Sequence, residues 1–291
     1  MNLRMMKLRL VASLSILLSS TMPVWADVAP INRDAKGLIT LTAPTQVQMK
    51  TEKVSVDLYN DSSVVNCTFV MQNFGEPITM EVGFPEMNFL QEDGVKQLNT
   101  ATLLGQQQWQ DWKIRHKDVL KMQVNNQELS LENLQLVCAE QNPDSRPWFV
   151  WSEYFDRGMT TIKVHYSLPY GTFYHGNKHI GANNSRSFTY ILETGVGWYE
   201  YIDEAEIEIR VHGIELHRIE AVSPMGSVFD LENRVFRWHF NNLEPTSQDN
   251  ITIIYYDPED RKWTDDYFKM PATQEETYGN GKWYRDYISA E

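Results

Sequence analysis

The chain has 291 residues and a formal net charge of −13, with 42% hydrophobic and 22% charged residues. These proportions are those of a folded globular protein, and the length is enough for one large or two ordinary domains. A strongly acidic surface repels phosphate backbones and anionic lipid headgroups, so we expect no nucleic-acid partner and no electrostatic grip on a membrane.

The first 26 residues have the organisation of a secretory signal peptide. Three basic residues precede an apolar run over 10–18, and Val24-Trp25-Ala26 provides a cleavage site of the small-x-small type. The run is shorter than the roughly 20 residues that a membrane-spanning helix needs. Without these three positive charges the net charge of −13 becomes −16. The sequence therefore predicts a protein that is secreted or periplasmic, with no membrane span in the mature chain.

Two cysteines, Cys67 and Cys138, lie on the apolar positions of alternating segments. In an oxidising compartment such a pair is more often a disulfide than two free thiols. The alternative is two buried reduced cysteines that pack as small apolar side chains.

Apolar and polar residues alternate with a period of two over 37–142. This pattern predicts an N-terminal β-sandwich domain. Strands over 54–58, around Cys67 and over 78–84 are separated by short turn sequences, which favours three consecutive antiparallel strands. An insertion at about 91–117 lacks this alternation and forms either a long loop or a short helix near 106–114.

A proline-containing linker at 141–147 separates this segment from a second alternating series over 148–256, the predicted C-terminal β-sandwich domain. The predicted fold is therefore all-β, with two antiparallel sandwich-like domains in tandem. One strand carries Glu204, Glu206 and Glu208 on its polar side, which is typical of an exposed sheet face. The tail, 257–291, is polar but aromatic-rich; it begins at Asp257, which we expect in a solvated turn.

The loop between two predicted strands, 169–187, is the best candidate for ligand binding, because aromatic and amide side chains on a mobile loop suit recognition. Two histidines four residues apart would suit a metal on a helix, but three glycines make a helix unfavourable there, and we predict no metal site. The candidate ligand-binding residues are Tyr170, Tyr174, His175, Asn177, His179 and Trp198.

Motifs of known catalytic sites do not occur: the sequence has no G-x-S-x-G elbow, no P-loop and no H-E-x-x-H. We predict no catalytic residue and no cofactor. Four tryptophans, at 109, 112, 148 and 151, flank the insertion and the linker. They either fill the contact between the two domains or form an aromatic surface for sugars or peptides.

Short motifs resemble those of a large, uncharacterised domain-of-unknown-function family of bacterial secreted all-β proteins. They include Asn60-Asp61-Ser62, Gly83-Phe84-Pro85 and Asn242-Leu243-Glu244-Pro245. A similar arrangement occurs in vault/inter-alpha-trypsin type domains. The resemblance implies an all-β fold and export, and it carries no catalytic residues.

Together these features favour an extracytoplasmic, non-catalytic protein that binds a protein or a cell-envelope component. One alternative is a secreted hydrolase of envelope polymers or glycans that uses carboxylates such as Glu193 or Glu204. A metal-dependent binding module is the third hypothesis.

Overall fold

The computed structural model describes residues 27–33, 39–40, 45–85, 103–116, 119–137, 148–177 and 181–257. Within these ranges the chain forms seventeen strands and one α-helix. In chain order they are β1 (Ala29–Arg33), β2 (Ile39–Thr40), β3 (Val47–Leu58), β4 (Ser62–Asn73), β5 (Ile78–Pro85), α1 (Leu103–His116), β6 (Leu120–Val124), β7 (Gln127–Leu129), β8 (Gln135–Val137), β9 (Trp148–Phe155), β10 (Gly158–Pro169), β11 (Gly171–Asn177), β12 (Gly181–Tyr190), β13 (Ile202–Val211), β14 (Ile219–Ser223), β15 (Val228–Asp230), β16 (Val235–Leu243) and β17 (Ile251–Tyr255).

The strands form three sheets. The largest has eight strands in the order β15-β16-β13-β3-β4-β10-β6-β7, and the smaller two have the orders β2-β1-β5-β9-β8 and β11-β12-β17-β14. All described pairs are antiparallel except β3 with β13, which run parallel. The predicted all-β, sandwich-like class is confirmed, and the eight-stranded sheet is mixed rather than purely antiparallel.

Both smaller sheets cover the same apolar face of the eight-stranded sheet. From the five-stranded sheet, Phe84 packs on Tyr166 of β10 with ring centroids 5.6 Å apart. From the four-stranded sheet, the Tyr190 hydroxyl reaches Glu52 of β3. A single large core cluster spans the three sheets, as expected when each sheet has one apolar side to bury.

Strands from the two predicted domains share these sheets. In the eight-stranded sheet, β4 pairs with β10 over twelve positions, Ser62 to Asn73, and β3 pairs with β13. In the five-stranded sheet, β5 pairs with β9. The described parts of the segments 37–142 and 148–256 therefore contribute strands to the same sheets and side chains to one common core.

The third predicted strand of the N-terminal series changes sheet. The first two, β3 and β4, form the expected antiparallel pair. The free edge of β4 is taken by β10, so β5 joins β1 and β9 in the five-stranded sheet instead. Hydrogen bonds from the Asn73 side chain to the carbonyls of Glu76 and Phe155 fix the turn where the chain leaves β4.

The insertion at about 91–117 was expected to be either a long loop or a short helix. It contains the helix α1. Its Trp109 and Trp112 are buried, stack with centroids 5.0 Å apart and pack on Phe149 of β9. Trp148 and Trp151 are also buried. Trp109, Trp112 and Trp151 therefore belong to the large core, and Trp148 belongs to a smaller apolar cluster with Ile31 and Val150. No helix in the described ranges is both long and apolar enough to cross a membrane.

Cys67 is buried on β4, and its Sγ lies 3.6 Å from the Tyr190 hydroxyl. Within the described residues Cys67 is a free thiol. Its predicted partner Cys138 lies outside them. The disulfide between Cys67 and Cys138 therefore stays a prediction.

Gly83 of the Gly83-Phe84-Pro85 motif stands where the strands of the five-stranded sheet leave no room for a side chain. A Cβ at this position would lie 2.7 Å from the Ile31 side chain and 2.9 Å from the Trp148 ring. The motif thus has a packing reason, because any larger residue must displace two buried side chains.

We expect Gly83→Ala to lower the free energy of unfolding by about 1–3 kcal/mol, the usual cost of overpacking a core. Urea denaturation measures the change. Gly75→Ala is the matched control, since its Cβ would chiefly meet the end of the flexible Gln46 side chain. Equal stability of the two variants would show that the five-stranded sheet adjusts freely at Gly83.

Candidate functional site

The outer face of the eight-stranded sheet carries the polar half of each alternating strand. On β3 the buried Val54 and Val56 alternate with Lys53 and Ser55, and the strands beside it follow the same rule. A cleft with a volume of about 350 Å³ lies on this face. We call it the sheet-face cleft; its polar lining residues are Lys53, Ser55, Asn66, Thr68, Glu206, Glu208, Arg237 and His239.

Strand register arranges these eight side chains in two rows that run across four strands. The first row is Thr68, Lys53, Glu206 and His239, each directly opposite the next. The second row is Asn66, Ser55, Glu208 and Arg237. Side chains at such directly opposed positions are near neighbours on one face. Residues far apart in sequence therefore meet in one charged surface.

Ion pairs link the charges within and beside each row. Lys53 Nζ lies 2.8 Å from Glu206 Oε2, and Arg237 Nε lies 2.6 Å from Glu208 Oε1. Arg237 also reaches Asp230 of β15, with Nη1 3.1 Å from Oδ2. The cleft therefore presents fixed, alternating charges held on a rigid sheet.

The contact between Lys53 and Glu206 favours the ionised form of both groups. The hydrogen bond from Lys53 lowers the pKa of Glu206, and the same contact raises the pKa of Lys53. Hydrogen bonds from Asn233, and then from Arg237, lower the pKa of Asp230 to about 2. A general acid or base works best with a pKa near the ambient pH. The shifts of Glu206 and Asp230 run the opposite way, which suits electrostatic recognition.

Two residues of the cleft, Glu206 and His239, form a group with the neighbouring Glu204 that has the composition of a metal site. Ligand atoms of Glu204, Glu206 and His239 all lie within 4.8 Å of one another. His239 Nδ1 is 3.9 Å from the Glu204 carboxylate and 3.8 Å from that of Glu206. Glu206 already pairs with Lys53, so a cation bound here would compete with an ammonium group.

Two of the predicted ligand-binding residues, Tyr170 and Trp198, have described side chains, and neither lines this cleft. Tyr170 is 37% exposed at the end of β10, and its ring centroid lies 4.3 Å from Arg186 Cζ. Trp198 is buried, and its Nε1 donates a hydrogen bond of 3.0 Å to the Val28 carbonyl. Neither residue is among the described residues that line the sheet-face cleft.

The rest of the predicted loop is mostly a hairpin. Tyr174, His175 and Asn177 lie on β11, which pairs with β12 up to Asn177 opposite Gly181. The side chains of these three residues are not described, and His179 lies outside the described residues. Ligand binding by this hairpin therefore stays a prediction.

Sequence reasoning predicted the exposed glutamates but predicted neither the cleft nor the residues that pair with these glutamates. Glu204, Glu206 and Glu208 were expected on an exposed strand face, and they lie on one. Lys53, Arg237 and His239 occupy equivalent polar positions on their own strands. Their alternation marked them as outward-facing, but only the strand order makes them neighbours.

No family model matches the sequence, and no curated protein matches it. Among solved structures, a proposed nutrient binding protein from Legionella pneumophila subsp. pneumophila is similar, with a TM-score of 0.50 and 14% identity. The match covers 80% of this chain and 70% of that one. At this identity the likeness shows the fold alone.

An M1 zinc metallopeptidase from Deinococcus radiodurans matches with a TM-score of 0.33 and 9% identity, over 72% of this chain and 42% of that one. A likeness at this level carries no argument about function.

Proposed function

We propose that this chain is an exported, non-catalytic protein that binds a polar ligand, either a protein or a cell-envelope component, in the sheet-face cleft. The observation that carries the proposal is the pair of charged rows on β4, β3, β13 and β16. Both signs of charge lie side by side there, so a ligand with both donor and acceptor groups meets a complementary partner at each row.

Three features support binding over hydrolysis. Lys53 and Glu206 favour each other's charged forms, which lowers the pKa of Glu206, whereas hydrolysis of glycans needs a protonated carboxyl with a raised pKa. The cleft sits on paired strands, which keep its geometry fixed. The similar Legionella structure belongs to a proposed nutrient binding protein, which agrees with a binding role.

Export is the second part of the proposal, and its support is the sequence of the first 26 residues. A periplasmic or secreted location would place the cleft among peptides, sugars and envelope polymers. Cell fractionation followed by mass spectrometry of the N-terminus tests this location independently of any ligand.

Ligand binding is tested with a thermal-shift panel of amino acids, dipeptides, disaccharides and soluble envelope-polysaccharide fragments. We expect at least one class to raise Tm in a concentration-dependent way, since a ligand that binds only the folded state stabilises it. Ser55→Trp fills the centre of the cleft and should abolish that shift.

Gln123→Trp is the matched control, because Gln123 is exposed on the same sheet but lies on β6, outside the cleft. It should leave the shift intact. A shift that survives Ser55→Trp but is lost in Tyr170→Ala would move the site to the β11–β12 hairpin. Turnover of a panel compound by the wild-type protein would favour the hydrolase instead.

A further inference from the structure

Two carboxylates, those of Asp27 and Glu52, are enclosed in the core between the sheets. Each residue has 0% of its surface exposed. Glu52 lies on the apolar face of β3 and accepts a hydrogen bond of 2.8 Å from the Tyr190 hydroxyl. Asp27 lies two residues before the start of β1, and the hydrogen bond from Trp198 to the Val28 carbonyl anchors the chain beside it.

The surroundings of Asp27 are tightly packed. A Cβ on Gly195 would lie 2.5 Å from Asp27 Oδ2, so only glycine fits against this carboxylate. The position of Asp27 is therefore fixed by close contacts as well as by the strand that follows.

Within the described residues, no side chain pairs with Asp27 Oδ1, Asp27 Oδ2 or Glu52 Oε2. The Val28 backbone N–H lies near enough to the Asp27 carboxylate to lower its pKa, but burial outweighs that effect. No ion pair to either group occurs within the described residues. Two adjacent buried carboxylates without a cation are strongly unfavourable when ionised. A positive charge beside the two carboxylates would relieve this cost.

We propose that cleavage of the Ala26–Asp27 peptide bond supplies this cation as the new α-ammonium group of Asp27. A peptidase of the export pathway would hydrolyse the bond with water, leaving a carboxylate on Ala26 and an ammonium on Asp27. That ammonium forms on the backbone nitrogen of Asp27, next to its own carboxylate and in the enclosure shared with Glu52. The inference rests on the proposed export and is independent of ligand binding.

The pH dependence of stability follows from the same geometry. In a chain without the free amine, burial raises the pKa of Glu52 to about 8, and burial together with the charge of Glu52 raises the pKa of Asp27. The folded state then holds protons that the unfolded state releases, so stability falls as the pH rises from about 4.5 to 8. An adjacent ammonium lowers both pKa values and flattens that decline.

The other titratable groups around Glu52 do not contribute in this range. They are Cys67, Tyr166 and Tyr190, and burial raises the pKa of each above its ordinary value. All three remain neutral below pH 8 in both forms of the chain. A difference between the free and blocked forms in how stability changes with pH therefore comes from the two carboxylates and the amine.

The test compares two forms of the mature protein that differ only at the N-terminus. A fusion protein cleaved directly before Asp27 gives the free amine. Enzymatic acetylation of that α-amine on the unfolded chain, which leaves the lysine side chains unmodified, followed by refolding of both forms, gives the blocked form. At pH 8 we expect the free form to have a Tm at least about 4 °C higher. At pH 5 the gap should shrink to less than half. Equal Tm values and equal pH slopes would overturn the inference and leave a carboxyl pair that shares protons.

Glu52→Gln, made in both forms, supplies the second measurement. Removing one carboxylate should reduce the gap at pH 8 by at least half, whereas Glu128→Gln, an exposed change on β7, should leave the gap unchanged. If Glu52→Gln does not fold, the comparison of free and acetylated wild type still decides. A mature protein that begins elsewhere than at Asp27 would overturn this inference without affecting the sheet-face cleft.

Discussion

Replacing Asp257 with alanine should lower the free energy of unfolding by about 3–5 kcal/mol, the cost of breaking a buried ion pair by removing one partner. Asp257 Oδ2 lies 3.3 Å from Arg186 Nη1 and 3.6 Å from Arg218 Nη2. The three side chains are only 10–12% exposed. Without the carboxylate, two guanidinium groups would remain buried with no opposing charge from Asp257.

The neighbours of these arginines make the loss hard to repair. Arg186 also donates to the Asn60 carbonyl and Arg218 to the Asn60 side chain, each over 2.6 Å. Arg218 Nε donates to the Tyr256 carbonyl. The network thus ties the Asn60-Asp61-Ser62 turn to the end of β17, and neither arginine can swing into solvent without losing several hydrogen bonds.

Urea denaturation at pH 7 measures the effect, with Glu128→Gln on the exposed face of β7 as the control for removing one negative charge. Asp257→Asn separates charge from shape, since the amide retains an acceptor oxygen but loses the charge. We expect it to fall between wild type and the alanine variant. A loss below about 1 kcal/mol for Asp257→Ala would place this network with ordinary surface ion pairs.

This network also marks a limit of sequence reasoning. Asp257 follows the last strand in a run of acidic residues, which indicated a solvated turn. It is instead 9% exposed. Its partners Arg186 and Arg218 stand in separate strands and turns, so no local pattern in the sequence connects them to the acidic residue.

Alternation predicted the strands well because it follows directly from their geometry. In β13, Ala205, Ile207 and Ile209 are buried and the glutamates between them face outward. The same holds for β10, where Ile162, Val164 and Tyr166 point into the core. A period of two determines which residues share a face, and that much can be read from one sequence.

The order of the strands in the sheets could not be predicted from alternation, and the reason is also physical. Alternation does not say which strand lies beside which, so β5 was expected next to β4 and β3 was not expected next to β13. Those choices depend on the long connections and on which edges remain free after the hairpins form. The sheet-face cleft depends on the same choices, since Lys53 and Glu206 meet only because β3 runs parallel to β13.

Replacing Trp198 with alanine should also cost about 3–5 kcal/mol of stability, as is usual for deleting a large buried aromatic side chain. Trp198 is 5% exposed and packs edge-on against Phe155, with ring centroids 6.1 Å apart. Its Nε1 donates the hydrogen bond to the Val28 carbonyl. The variant would leave a cavity between the sheets and an unpaired carbonyl at the start of β1.

Trp198→Phe separates the loss of packing from the loss of the hydrogen bond, because phenylalanine keeps a six-membered aromatic ring but has no N–H donor. We expect about 1–3 kcal/mol for it, the cost of leaving one buried polar group unpaired. Tyr170→Ala is the contrasting variant, since Tyr170 is 37% exposed and should change stability by less than either. Urea denaturation ranks the three, and the thermal-shift panel measures binding in those that fold.

The sequence analysis predicted both Tyr170 and Trp198 as ligand contacts. The measured stabilities and binding of these variants distinguish a role in core packing from a role in ligand binding. A large loss of stability in Trp198→Ala with normal binding in Trp198→Phe would make this tryptophan part of the core. A stable Trp198→Ala that no longer binds would instead make it a ligand contact. Because Trp198 holds the chain directly beside Asp27, the first outcome predicts that Trp198→Phe also narrows the Tm gap between the free and acetylated N-termini.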